Sequence, residues 1–237
     1  PVANDRCSFI VSGRRTYADI FLALSSDEAL RNNKLYFYDL NAKINYKVNN
    51  NNQIFLSGYF GRDVFKNDFV GMKWGNETAT IRWNHLFTRQ LFSNFSFIYS
   101  NYLYNLNTPA GEATSLDWTS NLRDLGIKAD FSYYPNTKNT IRFGGSVIYH
   151  MFNPGICKGI GDQTVITTVK VAGNYGFETG IYASNEQKLG DRFTVKYGLR
   201  FSMFQNTGPG TIFRYDTAYK AIDSTTYKSG ELYKTYT

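Results

Sequence analysis

Many segments of this 237-residue chain alternate between apolar and polar residues. From Arg192 to Met203, one set of alternate positions is apolar or aromatic, whereas the other carries charges, hydroxyl groups and glycine. Because successive side chains of a β-strand point to opposite faces of a sheet, the pattern predicts a strand with one apolar and one charged face. The apolar set consists of Phe193, Val195, Tyr197, Leu199, Phe201 and Met203.

The same alternation, or a looser form of it rich in β-branched and aromatic residues, predicts roughly nine strands. Several come close to the roughly ten residues that a tilted strand needs to cross a bilayer, and no apolar stretch has the length of a transmembrane helix. Gly144 and Gly145 interrupt one strand, where they indicate a bend or bulge. The predicted strands are Phe9–Tyr17, Tyr36–Val48, Gln53–Phe60, Thr80–Phe87, Leu91–Tyr104, Asp124–Tyr133, Ile141–Met151, Phe177–Lys188 and Arg192–Met203.

The connections between these strands alternate between short and long. Short polar turns and long loops at opposite ends of a sheet are typical of bacterial outer-membrane barrels. A soluble sandwich has no physical reason to gather its long loops at one end. The short connections are Asn49–Asn52, Thr88–Gln90, Pro135–Lys138 and Leu189–Asp191; the long ones are Ile20–Leu35, Asn105–Thr119, Phe152–Asn174 and all residues after Asn206, with Phe65–Asp68 a modest member of that set.

Composition agrees with a membrane barrel. Aromatic residues make up 17% of the chain, with 19 Tyr and 19 Phe, although the mean hydropathy is only −0.39. Barrels place aromatic girdles at both membrane interfaces, but a large sandwich core would use the same residues. The net charge is +7. The basic residues occur one at a time along strand faces rather than in a run, which favours a hydrated lumen of mixed charge over nucleic-acid binding.

The sequence offers little for catalysis or for metal binding. Cys7 and Cys157 lack metal or redox spacing, and they could form a disulfide or remain free thiols. Ser146 and His150 share a strand face but lie roughly 13 Å apart at strand rise, too far for a nucleophile and its base. We therefore expect no enzymatic activity, no metal site and no cofactor, with His150 facing the lumen and His85 at a membrane interface.

The number of strands indicates whether the barrel is complete. Bacterial single-chain barrels close with an even number of strands, and an unclosed sheet would leave unpaired backbone groups in hydrocarbon. We therefore expect residues 1–237 to form one partial transmembrane barrel domain, unless a tenth strand lies within Ile212–Tyr236. Because the start at Pro1 has no charged n-region followed by an apolar h-region, we expect any signal peptide to be absent or already removed, and the end, Leu232–Thr237, reads as part of a loop.

Several stretches resemble TonB-dependent receptors, most closely the Bacteroidetes group related to SusC-type transporters with a carboxypeptidase-regulatory-like N-terminal domain. The resemblance extends over nearly the whole chain. It is carried by GRRTY (Gly13–Tyr17), YFYDLNAKINYK (Tyr36–Lys47), LSGYFGRDVF (Leu56–Phe65), WGNETATIRWNH (Trp74–His85) and GDRFTVKYGLRFSMF (Gly190–Phe204).

The resemblance implies the middle portion of a 22-stranded barrel, without its plug domain, its TonB box or its C-terminal aromatic residue. It further implies uptake of a bulky glycan, peptide or metal chelate across the outer membrane of a Gram-negative bacterium. The implied partners are outer-membrane lipids, the remaining barrel and plug, TonB through segments absent here, and a surface lipoprotein.

Trp118 and Asp117, in the long loop after Tyr104, are the candidates for ligand contact, because an exposed ring can stack on a sugar face. A Trp that packs a loop or anchors an interface is the alternative. A small self-contained porin or structural barrel and a soluble β-rich binding or adhesion protein remain the alternative functions.

Overall fold

The computed structural model describes residues 6–190 and 192–236. Pro1, on which the expectation about a signal peptide rests, and Asp191, in the fourth short connection, lie outside this range. No helix within it is long and apolar enough to span a membrane.

Strands account for most of the described residues, and the two helices are short. Helices α1 (Ala18–Ala23) and α2 (Glu28–Arg31) lie in the first long connection. The strands are β1 (Cys7–Arg15), β2 (Lys34–Asn49), β3 (Asn52–Lys66), β4 (Gly71–Leu86), β5 (Leu91–Asn107), β6 (Leu116–Asn136), β7 (Asn139–Gly159), β8 (Val169–Lys170), β9 (Asn174–Leu189), β10 (Phe193–Thr207), β11 (Gly210–Tyr215), β12 (Ala221–Tyr227) and β13 (Leu232–Tyr236).

Within the described residues, eleven strands form one antiparallel up-and-down sheet. Its order is β1-β2-β3-β4-β5-β6-β7-β9-β10-β13, with β8 paired to the end of β7, while β11 and β12 form a separate hairpin. Strand β13 pairs with only the last residues of β10, from Phe204 to Thr207. Neither β1 nor β13 pairs with a described residue on its outer side, so the sheet that the described residues form is not closed.

Side chains of the short turns explain why these hairpins form. The Asn49 side chain accepts a hydrogen bond from the backbone N–H of Asn51 at 2.9 Å. The Asn136 side chain likewise accepts from the N–H of Lys138 at 3.0 Å, and the Thr88 hydroxyl accepts from Gln90 and Leu91. Such side chains satisfy backbone donors of a tight turn locally.

The predicted strands and the alternation of short and long connections are confirmed, and a tenth strand exists as β13. The prediction that Leu232–Thr237 is loop was wrong for Leu232–Tyr236, which pairs with β10, and Thr237 lies outside the described residues. Of the bend or bulge expected at Gly144 and Gly145, the bulge was also wrong. Their pairing with Asp130 and Ala129 is regular, and the register shifts of β6 against β7 lie nearer the strand ends.

Among the described residues, no second layer packs against the main sheet. Val64 is the one hydrophobic residue buried among those described. Both faces of the sheet are therefore left uncovered by the rest of the described chain. A soluble domain would cover its apolar face with another layer.

Candidate functional site

The outward face of the sheet carries a row of apolar residues on every long strand. On β7 these run from Ile141 to Met151, about 33 Å along the strand at a rise of about 3.3 Å per residue. At a tilt near 45°, this is about 23 Å of height, which is close to the apolar band of about 25 Å in outer-membrane barrels. The sheet thus has the face and the height that a bilayer requires.

Aromatic rings line the turn end of this apolar band. His85 contacts Trp83 with ring centroids 5.2 Å apart and meets Phe87 edge-on at 4.4 Å. Across the strands, Trp83 stacks on Phe95 at 5.3 Å, and its indole N–H donates to the side chain of Asn52 at 3.0 Å. Rings with one polar end suit a membrane interface, and the interfacial position of His85 stays a prediction.

A ladder of polar side chains bounds the other end of the band. Arg62 forms an ion pair with Glu77, which also accepts a hydrogen bond from Asn101 at 3.4 Å. The amide of Asn121 donates to Asn101 at 3.3 Å and that of Asn153 donates to Asn121 at 3.2 Å. These five residues cross β3 to β7 on the outward face and mark where apolar surroundings end, because amides and charges need polar partners.

The inner face carries the other set of alternate positions of each strand, which is the set richer in charged residues. Asp39 is buried, at 8% exposure, and accepts from Arg14 at 2.6 Å. Asp130 holds Lys128 at 3.0 Å and accepts from the hydroxyl of Tyr182 at 2.6 Å. The Arg14–Asp39 contact joins the neighbouring strands β1 and β2, and the Tyr182–Asp130 contact joins β9 to β6 across β7, so both brace the wall as well as give it polarity.

His150 lies on the same inner face, between two carboxylates. Its Nδ1 is 2.7 Å from Asp124 on β6, and its Nε2 is 3.5 Å from Glu178 on β9. The sequence placed His150 in the lumen but gave no sign of these partners, because they become neighbours only through strand register. Among the described residues, no group of three or more His, Cys, Asp or Glu side chains is arranged to hold a metal ion.

The two residues proposed for ligand contact lie in a strand. The prediction that Trp118 and Asp117 belong to a loop was wrong, because both lie within β6, which starts at Leu116. Asp117 accepts from Asn105 at 2.9 Å on the outward face. Trp118, the next residue, points to the inner face, and its indole N–H donates to the carbonyl of Pro154 at 3.2 Å.

Trp118 therefore shares no surface with Asp117. Its ring is 38% exposed and borders a cavity of about 410 Å³ that is lined by Val165, Ile166 and Val169 of the following connection. The hydrogen bond to the Pro154 carbonyl is also what an anchoring Trp would show. Ligand contact by either residue stays a prediction.

Both cysteines are free thiols, which settles the alternative that the sequence left open. Cys7 pairs with Tyr46 at one edge of the sheet, whereas Cys157 pairs with Trp118. Six strand spacings of about 4.8 Å separate their strands along the sheet, far beyond the reach of a disulfide.

An antiparallel up-and-down sheet with an apolar outward band, an aromatic border and a charged inner wall defines a section of an outer-membrane β-barrel. Among solved structures, the chain is similar to the Copper transporter OprC, with a TM-score of 0.62 at 8% sequence identity. The match covers 82% of this chain and 33% of that one, so the chain spans about a third of the transporter's length. At this identity, the likeness shows the fold alone.

A weaker likeness is to the translocator domain of autotransporter NalP from Neisseria meningitidis. Its TM-score is 0.38 at 12% identity, over 76% of this chain and 71% of that one. No family model matches the sequence, and no curated protein matches it.

Proposed function

We propose that this chain is part of the barrel wall of a TonB-dependent receptor of the Bacteroidetes, SusC-like type. The receptor takes up a bulky nutrient, such as a glycan, a peptide or a metal chelate, across the outer membrane of a Gram-negative bacterium. The wall binds and guides solute and performs no chemistry of its own.

The observation that carries the proposal is an open sheet with a membrane-facing side. In the part of the chain that the structure describes, β1 and β13 lack neighbours on their outer sides. Phe9 and Val11 of β1 face outward and are exposed. In hydrocarbon, each unpaired backbone group costs several kcal/mol. Further strands would satisfy these groups, and closure removes every edge.

The sequence resemblance and the fold support the same proposal independently. The stretch Leu56–Phe65 lies within β3, and most of Gly190–Phe204 forms β10 and its preceding turn. Both stretches thus fall on wall strands, as the resemblance implies. The OprC likeness, over about a third of that chain, agrees with a section of a larger barrel.

The partners follow from the same placement. The outward band contacts outer-membrane lipids, the free edges contact the rest of the barrel, and the charged inner face contacts the plug and the passing solute. TonB and a surface lipoprotein would act through other segments of the receptor.

Heat-modifiable gel migration tests the proposal, because folded outer-membrane barrels resist detergent until they are heated. We expect the complete protein to show the shift in lipid vesicles, and residues 1–237 expressed alone to show none. Removal of TonB should abolish uptake of the nutrient by cells that express the complete protein.

Two results would contradict this. A heat-modifiable band from residues 1–237 alone would indicate a self-contained barrel. A monomeric, folded chain in water without detergent would indicate a soluble β-rich protein, because an exposed apolar band should drive aggregation.

A further inference from the structure

A depression on the inner wall lies across the first four strands of the sheet. Its volume is about 350 Å³. The side chains that border it on the inner face include Ser8, Lys43, Asn45, Ser57 and Arg82. Lys43 and Arg82 are both exposed, so a solute in the lumen can reach them.

The charge of this depression is uncompensated. No carboxylate lines it, and neither Lys43 nor Arg82 forms an ion pair with any described residue. Elsewhere on the same face, Arg14 and Lys128 each hold an aspartate. Two cations that line the same depression without an acidic partner produce a positive potential, which a low-dielectric wall behind them strengthens.

The polar groups around the depression are arranged to donate hydrogen bonds. The Arg82 guanidinium lies 4.7 Å from the ring centre of Phe55, which holds it against the wall. The side-chain oxygen of Asn45 accepts from Gln53 at 2.7 Å, so its amide N–H groups remain to donate. Ser8 and Ser57 add hydroxyl groups.

We propose that this depression is a binding site for an anionic group, a phosphate or a carboxylate, on a solute that moves along the wall. Lys43 supplies a point charge, and Arg82 supplies a planar fork that matches either oxyanion. The site rests on the proposed function, because it needs the inner face to be an aqueous lumen.

Titration calorimetry of the complete protein in detergent micelles tests the site, with inorganic phosphate and citrate as separate probes. The unmodified protein should bind at least one of them, and the preferred probe distinguishes phosphate from carboxylate. The double variant Lys43→Gln with Arg82→Gln should bind it at least tenfold more weakly. Arg82→Lys, which keeps the charge but not the fork, should lie between the two.

Lys196→Gln is the matched control, because Lys196 faces the same lumen from β10 at the other side of the sheet. Its affinity should equal that of the unmodified protein. Absence of binding to the unmodified protein, or an equal loss in Lys196→Gln, would overturn the site. Heat-modifiable migration of the same samples reports the barrel separately, so failure of the site and failure of the proposed function give different results.

Discussion

At the scale of single residues, a tyrosine that reaches across a glycine holds part of the charged wall. Gly144 lies between Asp130 on β6 and Tyr182 on β9, and the Tyr182 hydroxyl donates to Asp130 at 2.6 Å. A Cβ atom on Gly144 would collide with the carbonyl oxygen of Ala129 and lie 3.1 Å from the Tyr182 ring. Glycine is needed here for close approach rather than for a bulge.

Gly144→Ala should therefore destabilise the barrel by about 1–3 kcal/mol, the usual cost of overpacking. Urea unfolding of the complete protein in lipid vesicles would measure the change. Gly58→Ala is the control, because a Cβ there meets only the carbonyl oxygen of Thr78, at an ordinary 3.7 Å. It should be neutral or stabilising by about 0.4–1 kcal/mol. Equal losses in both variants would argue against the close approach.

At the scale of one strand, hydropathy alone does not tell which residues face lipid. Val147 and Ile148 are adjacent, apolar and β-branched, but strand alternation sends them to opposite faces. Val147 pairs with Ile127 and Thr179 on the outward face, and Ile148 pairs with Glu178 on the charged inner face. The side chains at these two positions therefore face different surroundings.

Val147→Arg should cost about 2–4 kcal/mol, because it places a charge near the middle of the lipid-facing band. Ile148→Arg should cost much less, because the new cation enters the lumen opposite Glu178. The difference in unfolding free energy between these variants, measured in lipid vesicles, checks the orientation of the whole strand. A larger loss for Ile148→Arg would mean that the faces are reversed.

At the scale of the whole molecule, strand order separates residues that a compact fold could bring together. Cys7 lies on β1 and Cys157 on β7, on opposite faces of the sheet. We expect no disulfide between them under oxidising conditions. Without reductant, the unfolded protein should accept two maleimide groups, counted by mass spectrometry.

A cross-strand pair provides the positive control. Ser12 and Asn41 are register partners on β1 and β2, close enough for a disulfide. The variant Ser12→Cys with Asn41→Cys should form one and leave Cys7 and Cys157 reactive. A disulfide between the two native cysteines would contradict the strand order.

Much of the wall could be predicted from sequence, because a side chain's face depends on the strand period alone. The apolar parity of Arg192–Met203 and the Asn-rich turns are local signals that need no partner strand. The positions of His85 and His150 on their respective faces follow from the same rule. The prediction that Trp118 and Asp117 lie in a loop was wrong because β6 already begins at Leu116. The first residues of this strand lack the regular alternation that would have shown it.

The sequence by itself determined the strands, the two faces and the alternation of short turns with long connections, since each depends on residues close together in the chain. Only the tertiary structure decided the strand order, the register and the open edges. Those decide in turn which side chains meet, as in the ladder from Arg62 to Asn153 and the depression between Lys43 and Arg82. Such contacts join residues far apart in sequence, and pairing with a specific neighbouring strand is what brings them together.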